Sequence, residues 1–296
     1  MSDVEVDVNN QNTGSTTPTQ EVDRVNIRFA GDSGDGMQLT GNRFTQETAL
    51  SGNDLRTFPD YPAEIRAPAG TLAGVSAFQI SFSSKAIHTP GDAPDVLVAM
   101  NPAALAANLK DLKSGGTLIC NSAQFTKRNL EKAGYATNPI EDDSLKAYKL
   151  HSIDITGMTT KALEDMGLTT KIMDRCKNFF ALGVTLWLYN RSFESTVDWI
   201  AKKFGKKPEL VEANTKVLKA GYFYGETAEI FDGRYEVKEA PIAPGVYRNI
   251  NGNSSLAMGL VAASVKAKRD LFLGSYPITP ASTILHELAR YKAYGV

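Results

Sequence analysis

A glycine-rich loop, Gly31-Asp32-Ser33-Gly34-Asp35-Gly36, is the first stretch of this sequence whose residue types could bind a ligand. It lies between a segment that alternates as a strand does and a segment that favours a helix. Glycines at such a place let backbone amides approach an anion, and the N-terminus of the helix adds a favourable dipole. The alternative is a tight turn without a ligand. If the loop does bind one, Gly31, Ser33, Gly34 and Gly36 are the candidate contacts.

Two well-known phosphate-binding motifs do not match the spacing of this loop. The dinucleotide fingerprint would need a glycine where Leu39 stands,. A Walker A loop would need Gly-Lys-Ser/Thr, but Met37 follows Gly36,. Asp32 and Asp35 are also unfavourable beside a highly anionic ligand, and both residue types commonly serve as turn or cap residues. The loop therefore remains an anion site of unspecified ligand.

A second candidate for chemistry is the segment Tyr276-Pro277-Ile278-Thr279-Pro280, which follows an apolar run and precedes a predicted helix. Proline fixes the backbone angle φ, so Pro277 and Pro280 would present the Thr279 hydroxyl on a stiff turn. Little conformational freedom would then be lost when a ligand binds. The alternative is a proline-rich turn in which Thr279 only caps the following helix.

Composition limits the classes of protein to which the chain can belong. With 296 residues, 42% hydrophobic and 22% charged, it has the make-up of a globular protein of about two domains,. A formal net charge of −1 gives no basic surplus for binding nucleic acid or an anionic membrane,. The two cysteines, Cys120 and Cys176, fit neither a disulfide framework nor a metal site,. An iron–sulfur cluster needs about four thiolates, so this chain could not hold one alone.

Residues 1–23 contain five acids and no Lys or Arg, which predicts a disordered acidic tail and not a signal peptide,. The most apolar run, Ala181 to Tyr189, is far shorter than the roughly 20 residues that span a bilayer,. We therefore expect a cytoplasmic protein.

The order of the predicted elements indicates an α/β fold. The predicted strands are residues 25–29, 75–83, 96–100, 117–120 and 148–155. Two predicted helices begin at Met37 and Asn101, and further helices are predicted over residues 161–224. Strands that alternate with helices predict a mostly parallel sheet covered on both faces, which is a Rossmann-like three-layer domain over residues 24–228.

The remaining residues are expected to form a linker and the start of a second domain. Residues 229–247 contain Pro241, Pro244 and Gly245 and predict a linker,. Residues 248–296 predict a helix from Gly252, a strand at 270–274 and a helix at 281–291. A unit of that length is marginal for burying its own core. We therefore expect it to be an incomplete domain, either a fragment or one that a partner completes.

Four segments together resemble a known enzyme family: RFAGDSGDGMQLTG (28–41), TFPDYPAEIRAPAGTLAGVSAFQI (57–80), KNFFALGVTLWLYNR (177–191) and GSYPITPAST (274–283). They resemble the alpha subunit of the 2-oxoacid:ferredoxin oxidoreductases, and in particular the 2-oxoglutarate synthase branch, in which a gamma domain is fused ahead of the alpha domain. The resemblance implies that residues 24–228 are the gamma domain. It also implies that residues 248–296 are the N-terminal part of a thiamine-diphosphate-type, pyrimidine-binding α/β domain.

The resemblance also implies roles for both candidate sites. Residues 276–280 would line the 2-oxoacid site with Thr279 facing the substrate, and Gly31, Ser33, Gly34 and Gly36 would contact coenzyme A. The implied reaction is oxidative decarboxylation of a 2-oxoacid, with coenzyme A accepting the acyl group and ferredoxin the electrons. Thiamine diphosphate with Mg²⁺ and the iron–sulfur cluster would be held mainly by a beta subunit. A glutamate of the family lies beyond the position that matches Val296, so this chain alone is expected to be inactive.

Three other functions stay open at this point. The substrate could be pyruvate or a branched-chain 2-oxoacid in place of 2-oxoglutarate. The glycine loop could belong to a nicotinamide-dependent dehydrogenase, although its spacing argues against that. The chain could also be a non-catalytic module that binds coenzyme A or supports assembly.

Overall fold

The structure is a computed structural model that describes residues 18–61 and 74–296. The strands are β1 (Thr19–Glu21), β2 (Arg24–Asp32), β3 (Asp54–Asp60), β4 (Val75–Ser83), β5 (Val96–Ala99), β6 (Thr117–Asn121), β7 (Lys149–Ile153) and β8 (Arg234–Glu236). The helices are α1 (Met37–Leu50), α2 (Pro102–Asn108), α3 (Lys127–Lys132), α4 (Ile155–Ala162), α5 (Thr170–Asp174), α6 (Lys177–Leu188), α7 (Glu194–Phe204), α8 (Pro208–Thr227), α9 (Gly252–Ala267) and α10 (Ser282–Leu288).

Six strands form the central sheet in the order β3-β4-β2-β5-β6-β7. The pairs β2–β5, β5–β6 and β6–β7 are parallel, whereas β4 runs antiparallel to both of its neighbours. Alternate side chains of each strand point to opposite faces. In β5, Val96 and Val98 belong to one core cluster, and Leu97 and Ala99 belong to the other. The predicted sheet, mainly parallel and buried on both faces, is confirmed.

Helices cover both faces of this sheet. The larger core cluster contains residues of α1, α6 and α8, and the smaller one contains residues of α2 and α3. The sheet and its two helical layers are the predicted three-layer α/β fold. The apolar segment that begins at Lys177 is buried along its whole length as α6, as expected of a helix that is apolar almost all round.

Glycines set the separation between α6 and α8. A Cβ atom on Gly183 would lie 2.2 Å from the carbonyl oxygen of Leu218, and one on Gly221 would lie 2.2 Å from that of Phe180. No side chain fits at such distances, so the two helix backbones approach as closely as glycine allows.

In the central sheet one strand was missed from the sequence, and in the second unit one strand prediction was wrong. Residues 54–60 form β3, although Pro59 and the charged residues of this segment gave no strand signal. Among the described residues, β3 is an edge strand that pairs with β4 alone. An edge strand tolerates a proline and exposed polar side chains. Residues 270–274 form no strand. A strand needs a neighbour for its backbone hydrogen bonds, and none lies beside this segment among the described residues.

The predicted tail and linker also differ from the structure. Residues 1–17 lie outside the described residues, but Thr19–Glu21 is not disordered, because its backbone pairs in parallel with Arg234–Glu236. The predicted linker of residues 229–247 therefore begins as part of the first unit. Asn53 fixes it further, donating hydrogen bonds from Nδ2 to the carbonyl oxygens of Val237 and Lys238 at 3.2 and 2.7 Å.

Replacing Gly183 by alanine should lower the free energy of unfolding by roughly 1–3 kcal/mol, because a methyl group must push α6 and α8 apart. The measurement is thermal or denaturant unfolding. Gly259→Ala in α9 is the matched control, since no heavy atom lies within 4 Å of its Cβ position. That change should be neutral or stabilising. A Gly183→Ala variant as stable as the parent would contradict the close packing of these helices.

Candidate functional site

The glycine loop lies at the carboxyl end of β2, beside the carboxyl end of the neighbouring parallel strand β5. The helix that follows β2, α1, packs in the larger core cluster, whereas α2, which follows the neighbouring parallel strand β5, packs in the smaller one. The connections after β2 and β5 therefore diverge. In open α/β sheets, ligands bind in the crevice that such a divergence opens.

Asn101 joins the two connections at this crevice. Its Oδ1 accepts a hydrogen bond from the backbone N–H of Ala104 at 2.8 Å and so caps α2, as its position before Pro102 predicted,. Its Nδ2 donates to Oδ1 of Asp32 at 2.9 Å. The loop after β2 and the start of α2 are thus held together by one amide side chain.

Gly36 begins α1 in the left-handed conformation, with φ of 76°. A Cβ atom there would lie 2.6 Å from Nδ2 of Asn178, at the start of α6. Glycine is therefore required both by the backbone angle and by the amide packed against it. Asn178 is only 4% exposed, and its Oδ1 has no hydrogen-bond partner among the described residues.

A buried lysine neutralises one aspartate of the loop. Lys177 Nζ lies 3.0 Å from Asp35 Oδ1 and 3.1 Å from Asp174 Oδ1, and its side chain is 8% exposed. Burial by itself lowers the pKa of Lys177, but the two carboxylates outweigh it, so the pKa is raised and the ammonium form is retained,. The sequence analysis missed this residue and Asn178. The available signal was a Lys-Asn pair at the start of an otherwise apolar helix.

The loop satisfies much of its own hydrogen-bonding capacity. The N–H of Asp32 donates to Asp35 Oδ2 at 3.0 Å, and the N–H of Asp35 donates to the carbonyl oxygen of Asp32 at 2.9 Å. The N–H of Ser33 donates to the carbonyl oxygen of Gly74 at 2.9 Å. Desolvation, and then the charge of Asp35, raise the pKa of the Asp32 carboxyl group,.

The second candidate, residues 276–280, is exposed throughout. Tyr276 is 77% exposed and Ile278 is 50% exposed. Asn253 of α9 donates to the carbonyl oxygen of Pro280 at 3.0 Å and so supports the turn. The first turn of α10 has no side-chain cap, so Thr279 does not cap that helix and its exposed side chain can meet a ligand.

The unit that carries this turn has a small core of its own. Ala257, Val261 and Leu288 are its buried hydrophobic residues. Its large exposed hydrophobic side chains are Ile250, Leu256, Val265, Phe272, Tyr276, Ile278, Leu285 and Tyr294. Exposed apolar side chains that form a contiguous patch are commonly covered by another surface. Among the described residues, no hydrogen bond or ion pair joins residues 276–280 to the glycine loop.

The family model for pyruvate ferredoxin/flavodoxin oxidoreductase matches residues 26–224, which include the sheet, the glycine loop and the buried pair Lys177 and Asn178. The chain belongs to this family. The family resemblance that the sequence indicated is confirmed.

Individual relatives agree with this assignment. The chain is 57% identical over 277 residues to the 2-oxoglutarate oxidoreductase subunit KorA of Mycobacterium tuberculosis, an alignment that covers 94% of this chain and 42% of that protein. It is 31% identical over 147 residues to the pyruvate/ketoisovalerate oxidoreductases common subunit gamma of Thermococcus litoralis, covering 49% of this chain and 70% of that subunit. The first unit thus resembles a separate gamma subunit, and the chain spans less than half of the length of KorA.

A solved structure extends the match to both units. The 2-oxoglutarate:ferredoxin oxidoreductase from Magnetococcus marinus, with 2-oxoglutarate, coenzyme A and succinyl-CoA bound, superposes with a TM-score of 0.68 at 25% identity. The alignment covers 93% of this chain and 43% of that one. The predicted fold, a gamma domain followed by elements of an alpha-subunit domain, is therefore confirmed. Among the described residues, no helix is long and apolar enough to cross a membrane.

The raised pKa of Asp32 leads to a prediction about stability and pH. A carboxyl group whose pKa is higher in the folded protein than in the unfolded chain stabilises the fold at a pH below its unfolded-state pKa. This contribution is lost as the pH rises through the folded-state pKa,. At pH 7, Asp32→Asn should therefore unfold at a slightly higher temperature than the parent. Because Asp32 is exposed, the gain should stay below about 1 kcal/mol.

Thermal unfolding between pH 7 and pH 4 provides the measurement, and the gain should shrink as the pH falls. Asp198→Asn is the control, because Asp198 is exposed on α7 and makes no described ion pair. A stability difference for Asp32→Asn that grows towards low pH would contradict the assignment.

Proposed function

We propose that this chain is part of an oxidoreductase that oxidatively decarboxylates 2-oxoglutarate with coenzyme A, forming an acyl-CoA, CO₂ and reduced ferredoxin. The observation that carries the proposal is the 57% identity to KorA over 94% of the chain. The match to an oxidoreductase structure that holds 2-oxoglutarate, coenzyme A and succinyl-CoA supports the same substrate and acyl acceptor. A cytoplasmic location is part of the proposal.

The two units would have separate tasks. Residues 24–228 would act as the gamma domain, with Gly31, Ser33, Gly34 and Gly36 at the coenzyme A contact, and residues 229–247 would lead to the second unit. Residues 248–296 would contribute the beginning of a pyrimidine-binding domain. There, Tyr276, Pro277, Ile278, Thr279 and Pro280 would line the 2-oxoacid site, and the Thr279 hydroxyl would donate a hydrogen bond to the substrate.

Mg²⁺ and an iron–sulfur cluster do not fit the described residues of this chain. No group of three or more His, Cys, Asp or Glu residues there could hold a metal ion. Both cysteines are buried, and burial raises the pKa of Cys176 to about 11 and that of Cys120 further. Such thiols resist the deprotonation that ligation requires. We therefore assign these two groups, together with thiamine diphosphate, mainly to a beta subunit, which the exposed apolar side chains of residues 248–296 would contact.

The alternatives are less well supported. Membership of a ferredoxin/flavodoxin family argues against a nicotinamide-dependent dehydrogenase. The lower identity to a pyruvate/ketoisovalerate subunit, 31% against 57% for KorA, favours 2-oxoglutarate over the other 2-oxoacids.

The test is an anaerobic assay of this chain, in its native reading frame, co-expressed with its partner subunit. Reduction of ferredoxin should require both 2-oxoglutarate and coenzyme A. Thr279→Val should lower kcat/KM by about 10- to 100-fold, since a hydrogen bond to a charged substrate is lost. Thr279→Ser keeps the hydroxyl group and serves as the control.

Two results would count against the proposal. One is faster turnover of pyruvate or 2-oxoisovalerate than of 2-oxoglutarate, which would change the substrate. The other is full activity of Thr279→Val, which would remove Thr279 from the site.

A further inference from the structure

A groove between α7 and α8 leaves apolar side chains open to solvent. Its volume is about 680 Å³, and Val197, Ala201, Pro208 and Val211 form the apolar part of its lining. These side chains are half-buried or exposed, and the lining contains one acidic residue, Glu212. Open apolar surface that is rimmed by polar residues commonly meets another segment or surface.

Lysines surround this groove. Residues 201–219 contain six lysines and two glutamates. Lys216 is paired with Asp165 at 2.5 Å, and Lys219 Nζ lies 6.0 Å from the centre of the Phe193 ring. The remaining four are exposed and make no ion pair with any described residue: Lys202, Lys203, Lys206 and Lys207. A concentration of positive charge beside an apolar groove favours an occupant that is both acidic and apolar.

The N-terminal part of this chain has such a composition. Residues 3–8 read DVEVDV, in which three acids alternate with three valines, and residues 1–17 contain no Lys or Arg. Alternate side chains of an extended segment point to opposite sides, so the valines would share one side and the acids the other. The valines suit the apolar lining of the groove. The acids suit the lysines, whose long side chains can bend towards them.

The described chain begins near α8, the helix that forms one wall of the groove. The carbonyl oxygen of Pro18 accepts a hydrogen bond from the N–H of Arg234 at 2.8 Å. Arg234 Nε donates to the carbonyl oxygen of Trp187 at 3.1 Å. The Trp187 ring packs against Gly225 of α8, where a Cβ atom would lie 2.7 Å from it. Pro18 is therefore linked to the C-terminal part of α8 by a short chain of contacts.

The distance that remains is short compared with the length of the segment. Thr215, which lines the groove, precedes Gly225 by ten residues, or about 15 Å of helix,. Residues 9–17 alone span about 30 Å when extended, at about 3.3 Å per residue. Covalent attachment also keeps residues 3–8 at a high local concentration, so that individually weak contacts suffice for docking.

We propose that residues 3–8 of this chain dock in the groove between α7 and α8, with the valines on its apolar lining and the carboxylates at its lysines. Surface ion pairs contribute little by themselves. Removal of the valines and the groove lining from water adds the hydrophobic contribution. Neither contact alone explains why the acids and the valines alternate, whereas docking uses both sides of the segment.

Zero-length crosslinking with a carbodiimide tests the docking directly, because it joins a carboxylate to an amine only where the two are in contact. The sample is the full chain in its native reading frame, assembled with its partner subunit. Mass spectrometry should find residues 3–7 joined to Lys202, Lys203, Lys206, Lys207 or Lys219. Lys127 is the control amine, since it is exposed on α3, which packs on the opposite face of the sheet. Yields at the groove should exceed those at Lys127 by about tenfold or more, because docking holds the reacting groups together.

A variant that keeps every carboxylate tests the apolar contact. The triple substitution Val4→Ser, Val6→Ser and Val8→Ser should lower the crosslink yield at the groove by roughly threefold or more, since the apolar area that it buries is lost. The matched control is the triple substitution Asn9→Ser, Asn10→Ser and Asn12→Ser. It changes the same number of residues in the same segment without removing a valine, and the yield should stay unchanged.

Three results would overturn the proposal. The first is a yield at the groove lysines no higher than at Lys127, which includes the absence of any crosslink. The second is an unchanged yield in the valine variant, which would reduce the contact to non-specific charge attraction. The third comes from assemblies that mix isotopically labelled and unlabelled copies of this chain. Crosslinks that join a labelled copy to an unlabelled one would show that a second copy occupies the groove.

Discussion

The ion pair between Lys177 and Asp35 positions the candidate site in the first unit. Its 3.0 Å contact ties the loop after β2 to the start of α6, the buried helix that packs on the sheet. Because Lys177 begins α6, Asn178 follows at the place where it packs against Gly36, and only glycine can occupy that position. Without Lys177, Asp32, Asp35 and Asp174 would repel one another at one edge of the sheet, and an uncompensated, partly buried charge is strongly destabilising.

Local patterns in the sequence predicted most of the first unit and part of its site. Alternating strands such as β4, the Asn101-Pro102 start of α2 and the fully apolar α6 were recognisable because burial and capping leave a signature within a few residues. The edge strand β3 and the pairing of Thr19–Glu21 with Arg234–Glu236 were not, because they depend on backbone partners far away in the sequence. The role of Lys177 was missed for the same reason, as its partner Asp35 is distant in sequence.

Local sequence patterns predicted less of the structure of the second unit. Its turn at residues 276–280 was found from five residues, yet no strand forms at residues 270–274, and eight of its large apolar side chains are exposed. Such a surface gains its stability from contact with another surface. The gamma-like unit thus has a complete core and a crevice at the carboxyl end of β2, whereas the unit with Thr279 offers a stiff, exposed turn. Separate surfaces of this kind suit an enzyme in which two ligands meet only after assembly.

Hydrogen exchange of the assembled complex, with and without each ligand, tests the division of tasks between the two units most directly. The account predicts that coenzyme A slows exchange in residues 31–36 and at the start of α6, and that 2-oxoglutarate slows exchange in residues 276–284. Protection of both segments by one ligand would place them at a single site. If bound coenzyme A left residues 31–36 as unprotected as before, the account of the first unit would be contradicted.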